Sequence, residues 1–216
     1  MDAVQRKECG RYVAELFAPE DEVLAELRRE ISAQDMPEIY VDREEGRLLQ
    51  VLLQAVGARR VIELGTLGGY SAIWMARALA PDGQLITIER EAERAEVARR
   101  FLDRAGLSDR VEVRVGEALE LLPDLANEGP FDAIFIDADK KSYPVYLDWA
   151  LANLREGGLV IGDNAFKGGA VLDTNTDDPG TRGIQEFNRR LAGDPRLTSV
   201  IVPTRDGVAI AVVKRS

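Results

Sequence analysis

Asp137, Lys140, Asp163 and Asn164 are the residues of this chain whose types and spacing point most directly to chemistry. FIDADKKSY carries Asp137 and Lys140, IGDNAF carries the Asp163–Asn164 pair, and both segments leave apolar runs that read as buried strands. Two carboxylates and an amide are hard oxygen donors. They suit Mg²⁺, or Ca²⁺ or Mn²⁺, rather than structural zinc, and three such ligands leave positions open for water or a chelating substrate. Lys140 lies three residues past Asp137, where it can face the same ion. Beside a divalent cation an ammonium is disfavoured, so this lysine can serve as a base. Either segment alone also reads as an ordinary loop start, since Asp and Asn are common turn formers.

The composition narrows the alternatives. The chain of 216 residues has no histidine, which removes Ser-His-Asp and Cys-His catalysis, HExxH zinc hydrolysis and the His-based facial triad. With 45% hydrophobic and 31% charged residues it can fill a core and solvate a surface. Its net charge of -10 argues against a broad basic footprint for duplex nucleic acid. The single cysteine, Cys9, cannot form an internal disulfide and reads as a partly buried bystander, consistent with a reducing cytoplasm. No apolar run reaches the ~20 residues of a membrane span.

The elements that must position these residues follow from periodicity. Residues 1–56 read as helices, with Val23, Leu24, Leu27 and Ile31 on one face and Leu48, Leu49, Leu52, Leu53 and Val56 on another. From residue 60 strands at 61–64, 85–89, 111–115, 132–137 and 158–162 alternate with helices at 70–79, 91–105, 117–126 and 145–154. This alternation predicts a parallel sheet covered on both faces. After a loop over 167–181, a helix near 183–192 and strands at 197–203 and 207–213 complete the chain as an antiparallel hairpin. A single domain is expected, with residues 1–56 as a helical cover and 57–216 as the α/β core.

In such a sheet ligands bind beyond the carboxyl ends of the strands. After the first strand, ELGTLGGYS places Gly65, Gly68 and Gly69 in a tight turn at a helix start. Its G-x-x-G-G spacing departs from the dinucleotide fingerprint, and no lysine follows as in a P-loop. Alone it is a bare turn as readily as a ligand cradle. Glu89 ends the second strand, where a carboxylate can accept both hydroxyls of an adenosine ribose or can simply be solvated. With Glu63 and Asp137 nearby, the rim suits a cationic ligand, such as a sulfonium with an ammonium group, better than a phosphate. Ser71, in the first helical turn, could hold that ligand's carboxylate.

Taken together, ELGTLGGYS, FDAIFIDADKKSYPVY and GGLVIGDNAFKGGAV resemble the metal-dependent class I O-methyltransferases that use S-adenosylmethionine, of the caffeoyl-CoA and catechol O-methyltransferase type. IQEFNRRL and DGVAIAVVK match the same family's late helix and last strand, so the resemblance runs from about Tyr12 to the end. It implies a Rossmann-like fold with a seven-stranded, mostly parallel sheet. It further implies that Val41, Glu63, Gly65, Thr66, Ser71, Glu89, Ala118 and Asp137 contact the cofactor, with Glu89 on the ribose and Ala118 near the adenine. Asp137, Asp163 and Asn164 match its metal ligands and Lys140 its base. Val41 departs from plant relatives, which tend to carry a hydroxyl residue there. DADK follows the plant and bacterial pattern.

The reaction so implied is methyl transfer to a catechol-like small molecule by a cytoplasmic, homodimeric enzyme. Tyr40 and the loop from Phe166 to Arg182 are expected to border the acceptor pocket. The nearest alternative is a tRNA 5-hydroxyuridine O-methyltransferase, for which Arg28, Arg29 and Arg182 would supply a local basic patch. An NAD-dependent reductase is disfavoured by the glycine spacing. A non-catalytic nucleoside-binding module would not need Lys140 beside three oxygen ligands.

Overall fold

The computed structural model describes residues 3–215. Three helices come first: α1 (Ala3–Phe17), α2 (Glu22–Ala33) and α3 (Arg43–Ala55). The α2 start is fixed by Asp21, whose carboxylate accepts the Leu24 N–H at 3.1 Å. Alternation then begins with β1 (Arg60–Leu64), α4 (Tyr70–Ala76), β2 (Gln84–Glu89), α5 (Ala92–Arg104), β3 (Val111–Val115), α6 (Ala118–Leu125), β4 (Phe131–Ile136), α7 (Tyr143–Asn153) and β5 (Leu154–Gly162). The chain closes with α8 (Pro179–Gly193), β6 (Leu197–Val202) and β7 (Val208–Val213).

The strands form one seven-stranded sheet in the order β3-β2-β1-β4-β5-β7-β6. Only β7 runs against its neighbours, slotted between β5 and β6. Because β1 pairs with β2 on one side and β4 on the other, the strand order reverses at β1/β4 and opens a crevice there. Leu64 lies level with both Ile88 and Ile136, so the carboxyl ends of β1, β2 and β4 share one rim.

Two apolar layers sandwich the sheet. One joins Leu24, Leu27, Ile31, Leu49 and Leu53 of the N-terminal helices to Val61, Leu85 and Phe135. The other packs Leu122, Leu147, Ala150 and Phe187 against Ile62, Ile134 and Val160. The N-terminal helices share that layer with α4 and α5, whose Ile73, Trp74 and Phe101 join it; residues 1 and 2 lie outside the described residues. No helix among the described residues is long and apolar enough to cross a membrane.

Three boundaries differ from the periodicity by three residues or more. The helix expected over 70–79 stops at Ala76, where Ala78 and Leu79 bond back only three residues, to Met75 and Ala76. Leu154 opens β5 opposite Phe131 rather than closing α7. The late helix starts at Pro179, because the Asp178 carboxylate accepts the Thr181 N–H at 2.7 Å and proline suits a first turn. Cys9 is exposed on α1 rather than partly buried.

Candidate active site

A cavity of about 720 Å³ opens over the β1/β4 crevice. Val41, Gly65, Thr66, Ser71, Glu89, Ala118, Asp137, Lys140, Asp163 and Asn164 all line it. Glu63 does not. It is wholly buried behind the wall, where its carboxylate accepts the Ser71 hydroxyl at 2.5 Å and the Thr87 hydroxyl at 2.6 Å. Burial pushes the Glu63 carboxyl up to about 8, against the pull of those two hydroxyl donors. The Ser71 hydroxyl, expected to meet a ligand carboxylate, is thus engaged by Glu63 in this structure.

At the β1–β3 end the backbone does most of the positioning. Gly65 has φ 98°, and a Cβ there would run into the Asp137 carbonyl oxygen, so only glycine lets the β1 loop cross the tip of β4. Glu89 is held by two backbone donors, Leu67 N at 2.8 Å and Glu91 N at 3.0 Å, with Arg94 at 4.0 Å. Ala118 opens α6 and presents a small apolar surface to the same end.

At the β4–β5 end the groups are charged. Lys140 Nζ donates to Asp137 Oδ1 at 2.8 Å and to the Tyr143 hydroxyl at 2.9 Å. Tyr143 is fully buried, its hydroxyl facing the carbonyl oxygens of Ile136 at 2.9 Å and Asp163 at 3.1 Å. Burial and the carboxylates of Asp137 and Asp163 push that phenol well above its usual range. Asp139 secures the lysine's turn by accepting from Ser142 at 2.9 Å and Tyr146 at 2.8 Å. Asp163 accepts the Asn164 N–H at 2.5 Å, and Asn164 itself sits at φ 55°, a left-handed conformation that asparagine tolerates.

The periodic reading passed over Glu45. This α3 residue is only 5% exposed, lines the cavity and has a carboxyl oxygen, Oε1, without a donor. Its signal is present in the sequence: Glu45 stands four residues before Leu49 and eight before Leu53, in line with the buried stripe of α3. Burial and the neighbouring Asp163 and Asp137 charges push Glu45 up to about 9. Asp163 rises to about 6 for the same reasons.

Tyr40 borders the cavity as expected, but none of residues 166–182 does. That loop is folded on itself by Lys167 pairing with Asp178 at 2.7 Å and tied to Asp206 by the Gly168 N–H at 2.6 Å. Arg205 and Asp206, between β6 and β7, form the rim there instead.

The donor set fits a hard divalent cation. Asp163 and Glu45 crowd two buried carboxyls at the tip of β5, and an oxygen of Glu45 lacks any donor, a condition that a cation would relieve. Among the described residues no three of His, Cys, Asp and Glu are drawn around one point, Asp137 being engaged by Lys140.

Comparison with known proteins agrees with this geometry. The O-methyltransferase family profile matches residues 14–215. Over 210 residues the chain is 43% identical to the catechol O-methyltransferase of Niastella koreensis, covering 94% of this chain and 95% of that one. The O-methyltransferase of Bacillus cereus, solved in complex with SAH, superposes with a TM-score of 0.91 at 43% identity, covering 94% and 96%. TomG of Streptomyces achromogenes, an O-methyltransferase involved in tomaymycin synthesis and solved with SAM, gives 0.93 at 40% identity over 100% of both chains.

Proposed function

The chain belongs to the O-methyltransferase family and is an S-adenosylmethionine-dependent O-methyltransferase; from that premise we propose that its acceptor is a catechol-like small molecule and that a divalent cation, Mg²⁺ before Ca²⁺ or Mn²⁺, is required. The observation that carries this reading is the gathering of Asp137, Lys140, Asp163 and Asn164 at the carboxyl ends of β4 and β5, on the wall of the cavity that also holds Glu89. The name of the Niastella relative supports the acceptor class. In this proposal residues 57–216 are the cofactor-binding core and 1–56 the helical cover of one domain.

S-adenosylmethionine supplies the methyl group from its sulfonium. Glu89 accepts the ribose hydroxyls, its own orientation fixed by the Leu67 and Glu91 N–H groups. Ala118 borders the adenine, and Val41, Gly65, Thr66 and Ser71 shape the remaining wall. Glu63 acts from behind that wall, orienting Ser71. Asp137, Asp163 and Asn164 hold the cation, which when bound lowers the pKa of a coordinated hydroxyl and orients two vicinal oxygens. Lys140 Nζ, held between Asp137 and the Tyr143 hydroxyl, would take the proton of the hydroxyl to be methylated in its unprotonated form, which a neighbouring divalent cation favours. The walls exclude bulk water and align attacking oxygen and methyl, which supplies much of the rate in a reaction that neutralises two charges.

For the tRNA alternative, the expected basic patch is largely neutralised: Arg28 pairs with Glu20 and Arg182 with Asp177. A homodimer remains part of the proposal, supported by the exposed Val4, Tyr12, Leu16 and Phe17 of α1. A methyl-transfer screen with catechol, caffeoyl-CoA and hydroxyuridine-containing tRNA tests the reading. Catechol methylation should vanish in EDTA and return with Mg²⁺, whereas Asp163→Ala should stay inactive at any Mg²⁺ concentration. Full activity in EDTA overturns the metal requirement, and methylation of the tRNA alone overturns the acceptor.

A further inference from the structure

Three of the carboxyls lining the β4–β5 end of the cavity come from different parts of the chain. Asp137 and Asp163 follow β4 and β5, while Glu45 arrives on α3. Only Asp137 has a cationic partner within the site, Lys140. Arg205, the nearest other cation, is turned to Asp42 at 2.6 Å. Glu45 abuts Asp163 closely enough to hydrogen-bond if one of them carried a proton, and its Oε1 has no donor.

The placement of Glu45 is enforced by packing. Gly46 brings α3 so close to α4 that a Cβ there would lie 2.5 Å from the Trp74 ring, and Arg47 stacks over the same ring at 5.1 Å. Leu49 and Leu53, on the Glu45 face, are fully buried. The helix is therefore committed to directing a carboxylate inward, where burial without a counter-charge is costly. The Asp42–Arg205 pair that ties the start of α3 to the β6–β7 loop is half in solvent and contributes little.

Resting on the metal-dependent reading above, we propose that Glu45 is an additional anionic residue of the divalent-cation site, so that ion binding fastens α3 to the carboxyl ends of β4 and β5. Glu45 is a positioning residue: it would balance the ion's charge and steady Asp163, which it adjoins. The ion then joins the helical cover to the sheet, so the ion site and the helical wall of the cavity are completed together.

The test uses the full-length chain without methyl donor or acceptor. Calorimetric titration with Mn²⁺ compares wild type, Glu45→Gln, Glu45→Ala and Asp163→Ala, and hydrogen exchange follows residues 43–55 with and without Mn²⁺. Both Glu45 variants should bind Mn²⁺ about tenfold or more weakly, the range seen when groups supporting metal ligands are removed. Mn²⁺ should slow exchange in α3 of the wild type but not of Glu45→Ala. Metal-free Glu45→Gln should melt above metal-free wild type, because burying an ionisable carboxyl there costs the empty protein, whether it holds a charge or takes up a proton. That rise separates lost ion binding from a damaged fold. Wild-type Mn²⁺ affinity and wild-type protection of α3 in Glu45→Ala overturn the proposal while leaving the metal reading intact. Absence of Mn²⁺ binding by the wild type itself overturns both.

Discussion

The two ends of the cavity handle buried carboxylates in opposite ways. At the β1–β3 end Glu63 receives two hydroxyls and Glu89 two backbone N–H groups, so each is supplied with donors before any ligand arrives. At the β4–β5 end Asp163 receives one backbone N–H, and Glu45 is left with a donorless oxygen beside it. Donors supplied in advance fix the shape of a ligand site. Charge left unanswered instead stores affinity for a cation, at a cost to the empty protein. The first end is thus built for orientation, and the proposed metal end for capture.

The sharpest way to break this contrast is to alter Lys140, the cation paired with Asp137 at the charged end. Lys140→Met should lower turnover by about 10²- to 10⁴-fold, the usual range for a lost proton acceptor, with S-adenosylmethionine affinity little changed. Steady-state kinetics paired with calorimetry would show it, and an unimpaired turnover would remove Lys140 from proton transfer. A smaller effect is expected at the other end. Glu89→Gln should weaken S-adenosylmethionine binding by about tenfold or more, from the ~1.5–3 kcal/mol of a hydrogen bond to a charged group, while Mn²⁺ affinity holds. Loss of both affinities together would mean that the two ends are not separable.

The mildest effect concerns pH. Glu63 titrates near 8 in the folded chain, against an ordinary 4.5. The folded state therefore binds the extra proton, and stability falls as pH rises from about 4.5 through 8. Glu63→Gln should flatten that part of the melting-temperature profile by up to a few kcal/mol in equivalent stability. An unchanged slope between pH 5 and 8.5 would place the sensitivity elsewhere.

The fold was legible because parallel strands buried on both faces write themselves as continuous apolar runs such as VIEL and DAIFID. The strand tips were legible for the same reason: once β4 and β5 are located, Asp137 and Asp163 must stand just beyond them. Glu45 was harder to see, because helical periodicity marks the apolar members of a stripe and passes over a charge lying within it. Glu63 was read as a rim residue, yet strand alternation turns its side chain behind the wall to Ser71 and Thr87. The 166–182 loop was expected at the pocket because loops often carry specificity. Its Lys167–Asp178 pair and its bond to Asp206 are tertiary facts that no local pattern announces.

Gly65 carries one more consequence. Where it crosses the tip of β4, the loop that cradles the donor lies in van der Waals contact with the backbone of Asp137. In the proposed reading, the spacing between the cofactor loop and the tip of β4 is thereby set by two touching main chains. Tyr40, Arg205 and Asp206 stand on loops outside that contact. In that reading, substitution of these three can shift acceptor choice while the spacing of the β1 loop and the β4 tip is inherited unchanged.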